Sequence, residues 1–177
     1  MKTIIYSFQN DGILFQDYHF IHSDINKNKL LPLQKIKAIN LRTFPCSILT
    51  TDNEVIFLNH QKQDNENLAQ YAKVNSIPVS NQPDIWEMIC RIYLDTDSSM
   101  DESDLNTLLR LDIDKKKISE IRKPIDNLFD FTTEWQYLGQ WDILAAKQRK
   151  SFFYGWTGKK FYWWTMQIAT SGQNNYR

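Results

Sequence analysis

The apolar residues of this chain change their spacing near Ser80, and that change limits the folds open to it. Before Ser80 they alternate over short runs, the period of strands. After it they recur three and four residues apart, the period of helices. Strands followed by helices is the order of an α+β protein, whereas regular alternation of the two would give a parallel α/β sheet. Residues 1–79 therefore read as a β-rich part and residues 80–177 as a helical part. The two are expected to form one composite domain with a shared core.

In the first part, Thr3–Gln9 is rich in strand formers and Asn10-Asp11-Gly12 follows. Asp-Gly is expected to supply the positive φ angles of a tight hairpin turn. Ile13–Ile21 reads as the return strand, with Ile13, Phe15, Asp17 and His19 on one face and Leu14, Gln16, Tyr18, Phe20 and His22 on the other. Ser23–Lys29 is polar and reads as a connection. Leu33–Leu41 is a further strand, and Pro45 breaks the run. Ser47–Thr51 and Glu54–Asn59, joined by Asp52-Asn53, form a second hairpin. The sum is an antiparallel meander of about five strands. Leu68, Tyr71, Ala72 and Val74 are expected to give a short amphipathic helix, and Ile77-Pro78-Val79 is extended because Pro78 disfavours helix at the residue before it.

In the second part, Pro83 suits the first turn of a helix. Ile85, Ile89 and Ile92 form one row and Trp86, Cys90 and Tyr93 another. That helix is apolar nearly all round and should be buried. The acidic segment Asp95–Asp104 leads into a helix carrying Leu105, Leu108 and Leu109. Asp114 is placed to cap a third helix, whose stripe runs Ile118, Ile121, Ile125, Leu128 and Trp135. Pro124 interrupts the stripe and should kink that helix or force it to restart. Trp141–Ala146 makes a further turn or two, Gly155 and Gly158 flank a loop, and Phe161–Ala169 is the last helix. Ser171–Arg177 is expected to fray.

A chain of 177 residues buries a core without disulfides or metals. Its formal net charge is zero, so no global field draws it to nucleic acid or anionic lipid. The two cysteines, Cys46 and Cys90, are too sparse for a disulfide framework and suggest a reducing compartment. After Ile4-Ile5-Tyr6 the polar Ser7 and Gln9 come too soon for a signal-peptide core. No run approaches the roughly 18 apolar residues of a membrane span. A cytoplasmic protein without membrane attachment is the expectation.

Local motifs argue against several chemistries. Asp95-Thr96-Asp97-Ser98-Ser99-Met100-Asp101-Glu102 begins like a calcium loop. The sixth position needs glycine and the twelfth a bidentate glutamate, but Met100 and Asn106 stand there. The simpler reading is a solvated linker whose Asp101 and Glu102 favour the next helix's N-terminus. His19 and His22, three apart in a predicted strand, should leave opposite faces, and His60 could meet either across the sheet, with Cys46 near a strand as well. No metal or other cofactor is expected. Cys90 falls on a packing row, which leaves Cys46 as the thiol with a route to reactivity. The chain has no GxSxG, P-loop, GxGxxG or HExxH. An enzyme built on it would need a site assembled only by folding, from residues such as Asp17, His19, Glu54 and His60.

Charge is segregated along the second part. From Asp84 to Asp114 acids far outnumber the bases Arg91 and Arg110, and no acid follows Asp142. Lys147, Arg149, Lys150, Lys159 and Lys160 interleave with Phe152, Phe153, Tyr154, Trp156 and Phe161 to Trp164. Single-stranded nucleic acid is bound by such mixtures, bases stacking on rings while cations meet phosphates. However, Phe161, Trp164 and Ile168, like Tyr162, Met166 and Ala169, recur as core rows, with lysines snorkelling past them. Trp163 shares its face with Gln167 and Thr170 and is the expected interface anchor. The acids Asp95, Asp97, Asp101, Glu102 and Asp104 form a surface suited to imitate a polyanion. The leading expectation is a non-enzymatic protein-binding protein. Its most concrete form is an immunity-type inhibitor that neutralises a bacterial toxin, such as a nuclease, by covering a basic cleft. Single-stranded nucleic-acid binding is the first rival and an enzyme the second.

Overall fold

The structure is a computed structural model that describes residues 3–59, 62–93, 102–126, 128, 138–150 and 156–171. The chain is α+β and divides into two compact units, Met1–Pro83 and Asp84–Arg177. Among the described residues the strands lie in two sheets, of three and four strands, where a single meander was expected.

In the first unit, β1 (Ile5–Gln9) and β2 (Gly12–Asp17) form the predicted hairpin, with Gln9 opposite Gly12. The loop is therefore Asn10-Asp11, and Gly12 lies in the sheet instead of the turn. Gly12 faces Pro32 of β3 (Leu30–Pro32), and a Cβ on it would stand 2.2 Å from the Leu31 carbonyl oxygen. Close approach of two backbones, not turn geometry, requires glycine here. The predicted strand to Ile21 stops at Asp17 because the chain leaves the sheet to bury both Tyr18 and Phe20. Their rings continue a series from Phe15 to Phe57, with centroids 5.4, 5.8 and 6.1 Å apart in edge-on contacts.

The predicted connection at Ser23–Lys29 contains a helix, α1 (Asp24–Asn28). Ser23 caps it by accepting the Ile25 N–H at 3.1 Å, and Lys29 ends it at φ 58°. A tight turn over Leu33–Lys35 then leads to the second sheet, β4 (Ile36–Asn40), β5 (Ser47–Thr50) and β6 (Val55–Phe57). Its order is β6-β5-β4-β7, where β7 is Val79–Ser80. α2 (Lys62–Val74) carries the chain from one sheet edge to the other, burying Leu68, Tyr71 and Ala72, whereas Val74, expected on the same face, is exposed at the helix end. β7 then runs parallel to β4, with the Pro78 carbonyl accepting the Ile39 N–H at 2.9 Å. Proline fits because the ladder uses its carbonyl and not the N–H it lacks.

The second unit is helical: α3 (Ile85–Cys90), extended by a tight turn over Arg91–Tyr93, then α4 (Glu102–Arg110), α5 (Lys115–Arg122), α6 (Gln140–Lys150) and α7 (Trp156–Ala169). α3 begins one residue beyond Asp84, whose carboxylate accepts the N–H groups of Trp86 and Glu87. Pro83 thus precedes the cap instead of occupying the first turn. As its pattern predicts, α3 is buried nearly all round, through Ile85, Trp86, Met88, Ile89 and Cys90. The Trp86 indole donates to the Thr165 carbonyl at 3.1 Å, satisfying its one polar atom. Asp114 caps α5 by accepting the Lys117 N–H at 2.7 Å. Pro124 neither kinks nor restarts that helix, which ends at Arg122. The stripe nevertheless stays buried beyond the end, through Ile125 and Leu128 in the following turns. Trp135 lies outside the described residues. α7 starts five residues earlier than predicted, with Gly158 inside it.

Candidate binding surfaces

The acidic candidates are only partly on view. Asp95, Asp97 and Asp101 lie outside the described residues, as does the calcium-like run up to Asp101. Glu102 and Asp104 occupy the first turn of α4, where negative side chains complement the helix dipole. Glu102 is exposed. Asp104 is not a free surface charge: its side chain is 14% exposed and meets the Arg91 guanidinium at 2.8 Å. Arg91 also approaches Glu87, at 3.7 Å. Asp104 therefore ties α4 to the turn after α3, a role that spacing alone does not reveal.

The α7 surface is better formed. Tyr162, Thr165, Met166 and Ile168 point inward. Trp164 is half-buried, its ring edge-on to Trp86 at 5.5 Å and tilted against Phe161 at 5.3 Å. Lys147 of α6 lies 5.1 Å from the centre of the Phe161 ring, a cation–π contact. The outward positions are Lys159, Lys160, Trp163 and Gln167. With Trp164 they line an open depression of about 360 Å³. Trp163 is half-buried rather than fully exposed, its ring edge-on to Tyr162 at 5.5 Å. Helical geometry explains the grouping, since positions 159 and 163, and 160 and 164, are each four apart. Phe152, Phe153, Tyr154 and the side chains of Lys150 and Trp156 lie outside what the structure describes.

The first unit holds a pocket of about 330 Å³ between α1, β3 and the β5–β6 turn. Ile25, Leu30, Leu31 and Pro32 give it apolar walls, and Asp24, Asn28, Lys35, Asp52 and Glu54 supply polar groups. Glu54 is fixed by the turn itself: Asn53 takes φ 60°, the Glu54 N–H donates to Thr50 Oγ1 at 2.9 Å, and the Glu54 carbonyl accepts the Thr50 N–H at 2.9 Å. Glu54 is only 2% exposed. At the rim, Lys35 Nζ lies 2.9 Å from Asp52. Asp52 raises the Lys35 pKa above its ordinary value, and Asp24 and Glu54 add to the effect. The sequence singled out Glu54 only as catalytic material. Asp24, Lys35 and Asp52 carry no local motif, because three separate segments bring them together.

The remaining candidates separate. His19 and His22 sit in the loop after β2, not in a strand, so the opposite-face argument does not hold. His60 lies outside the described residues. Among the described residues no three His, Cys, Asp or Glu side chains are grouped to hold a metal ion. Cys46 and Cys90 are both buried and free. Burial, helped by the Asp64 carboxylate, pushes the Cys46 thiol up to about 12, and burial pushes Cys90 up as well. Both are protonated near neutral pH, which opposes a thiolate nucleophile. Asp64 accepts a hydrogen bond from the Tyr6 hydroxyl, whose pKa is raised by its own burial and then by that bond.

No described helix is long and apolar enough to cross a membrane. No family model, curated protein or solved structure matches the chain.

Proposed function

We propose that this chain is a protein-binding protein and that the outward face of α7 is its contact surface. One observation carries the reading: Trp163 and Trp164 share an open depression with Lys159, Lys160 and Gln167. Tryptophan is enriched at interface hot spots, and here two half-buried tryptophans share one face. The two lysines favour a partner with an acidic patch and would steer its approach. The sparse, buried thiols fit a reducing, cytoplasmic setting. The test replaces Trp163 with a photo-crosslinking residue in the host cell, and Val74, 69% exposed on α2, as control. A protein adduct at position 163 but not at 74, lost when Lys159 and Lys160 are changed to Glu, supports the reading. A nucleic-acid adduct would favour the single-strand rival, and equal adducts at both positions would defeat the proposal.

A second reading keeps the narrower expectation of an immunity-type inhibitor that covers a basic toxin cleft. The exposed Glu102 at the start of α4 supports it. Glu102→Lys should then slow association with a basic nuclease, most strongly at low salt, since steering is screened over about 8–10 Å. An unchanged association rate would remove this reading.

A further inference from the structure

Building on the reading of α7 as the contact surface, we propose that its depression takes an acidic, proline-bearing segment of the partner in extended polyproline form. Positions 159, 163 and 167 are each four apart, so Lys159, Trp163 and Gln167 form one row along the helix. At 1.5 Å per residue the row covers about 12 Å. Trp164 stands beside it, its ring held by Trp86 and Phe161, and the Trp163 ring rests edge-on against Tyr162. Both indoles are therefore set in place before a ligand arrives.

The order of cation, indole and amide selects the ligand. Lys159 is exposed. None of the described residues lining the depression is acidic, and no acid follows Asp142 in the chain, so the complementary group is negative. Aromatic-lined grooves are the surfaces on which proline-rich segments dock. A polyproline segment has no internal hydrogen bonds, so its carbonyls stay open to donors. The Trp86 indole N–H is bonded to the Thr165 carbonyl, whereas those of Trp163 and Trp164 have no hydrogen-bond partner among the described residues. With the Gln167 amide they are the donors that such carbonyls accept. At a rise of about 3.1 Å per residue, roughly four residues cover the row, with an acid at one end and prolines over the indoles. A second copy docked here would bring the lysines of both chains into one patch with no acid to offset them. A partner helix would need an apolar stripe to pack against, and this face offers two indoles among polar residues.

The test uses the full chain, with NMR of the indole N–H groups read at Trp163 and Trp164 and Trp86 as the buried reference. The probe is the capped peptide Glu-Glu-Pro-Pro-Pro-Pro. Saturable shifts are expected at Trp163 and Trp164, with Trp86 unmoved. The capped peptide Lys-Lys-Pro-Pro-Pro-Pro should bind at least about fivefold more weakly, the ratio that one exposed charge pair supplies. Glu-Glu-Ser-Ser-Ser-Ser, which lacks the prolines, should also bind more weakly. Trp163→Ala should abolish binding of the acidic proline peptide. Lys159→Glu, at an exposed position away from the core, should narrow the gap between the acidic and basic proline peptides and guards against misfolding of the tryptophan variant. Equal binding of the serine or the lysine peptide, matching shifts with a short oligothymidylate, or no shifts at Trp163 and Trp164 would each overturn the proposal. A protein adduct still formed at position 163 in cells would then leave the contact-surface reading standing, whereas loss of that adduct as well would remove both.

Discussion

At Gly12 the sequence and the structure agree on the residue and disagree on the reason. A Cβ 2.2 Å from the Leu31 carbonyl oxygen cannot be absorbed by a side-chain rotation, because the obstacle is backbone. Gly12→Ala should therefore part β2 from β3 and cost roughly 2 kcal/mol, within the range for overpacking, as read from urea denaturation. A cost below about 0.5 kcal/mol would show that the strands can separate freely. Asp142 makes a pH-dependent case. Burial pushes its carboxyl up from 3.8 to about 6, although the Gly139 N–H donates to it at 3.1 Å. The folded chain thus holds this proton more tightly than the unfolded one. Its destabilising effect is absent below the ordinary carboxylate pKa, grows from there to about pH 6, and is complete above that. Asp142→Asn should raise stability at pH 8 by about 1 kcal/mol, and the gain should vanish near pH 4 in melting experiments. A gain that persists at pH 4 would mean the charge is not its source. Single residues were the hardest scale to read from sequence. Asp104 and Glu102 look alike in the chain, but one is taken up by Arg91 and the other faces solvent.

Elements were legible where the apolar period was long. α3 and the β5–β6 hairpin follow the predicted runs, and α2 carries its predicted apolar face, because each buries several residues at a regular spacing. α1 and the pairing of β7 with β4 were missed for the converse reason. α1 buries only Ile25 among its five residues, and β7 has two residues, so neither offers a period to detect. The cap at Ser23 was the available signal for α1. Caps are also where helix ends can be tested. Asp84 accepts two backbone N–H groups at the start of α3, at 2.9 and 3.3 Å. Asp84→Ala should cost about 1 kcal/mol in chemical denaturation, whereas Asp84→Asn should cost much less. Equal losses would point to the charge instead of the cap.

For the molecule, the chain divides into two compact units after Pro83, four residues beyond the change of composition at Ser80. The second unit gathers its apolar cluster around Trp86 and Ile89, both fully buried. Ile89→Ala should therefore cost about 2–5 kcal/mol, the range for truncations in a close-packed core, measured by thermal or urea unfolding. A loss below about 0.5 kcal/mol would mean that α3 is not a core helix. The candidate site in the first unit was not legible at all, because a pocket built from α1, β3 and a turn leaves no pattern in any one segment. The parallel pairing of β7 with β4 has a consequence for how the first unit is made. Ile39 must find Val79 across about forty residues, and only two residues of ladder form when it does. Closing so long a loop gives up chain entropy before many contacts form in return. The antiparallel hairpins should assemble first and this edge should be added last. Val79→Ala should then speed unfolding while leaving the refolding rate nearly unchanged in stopped-flow experiments. A slowed refolding arm would place the edge inside the folding nucleus.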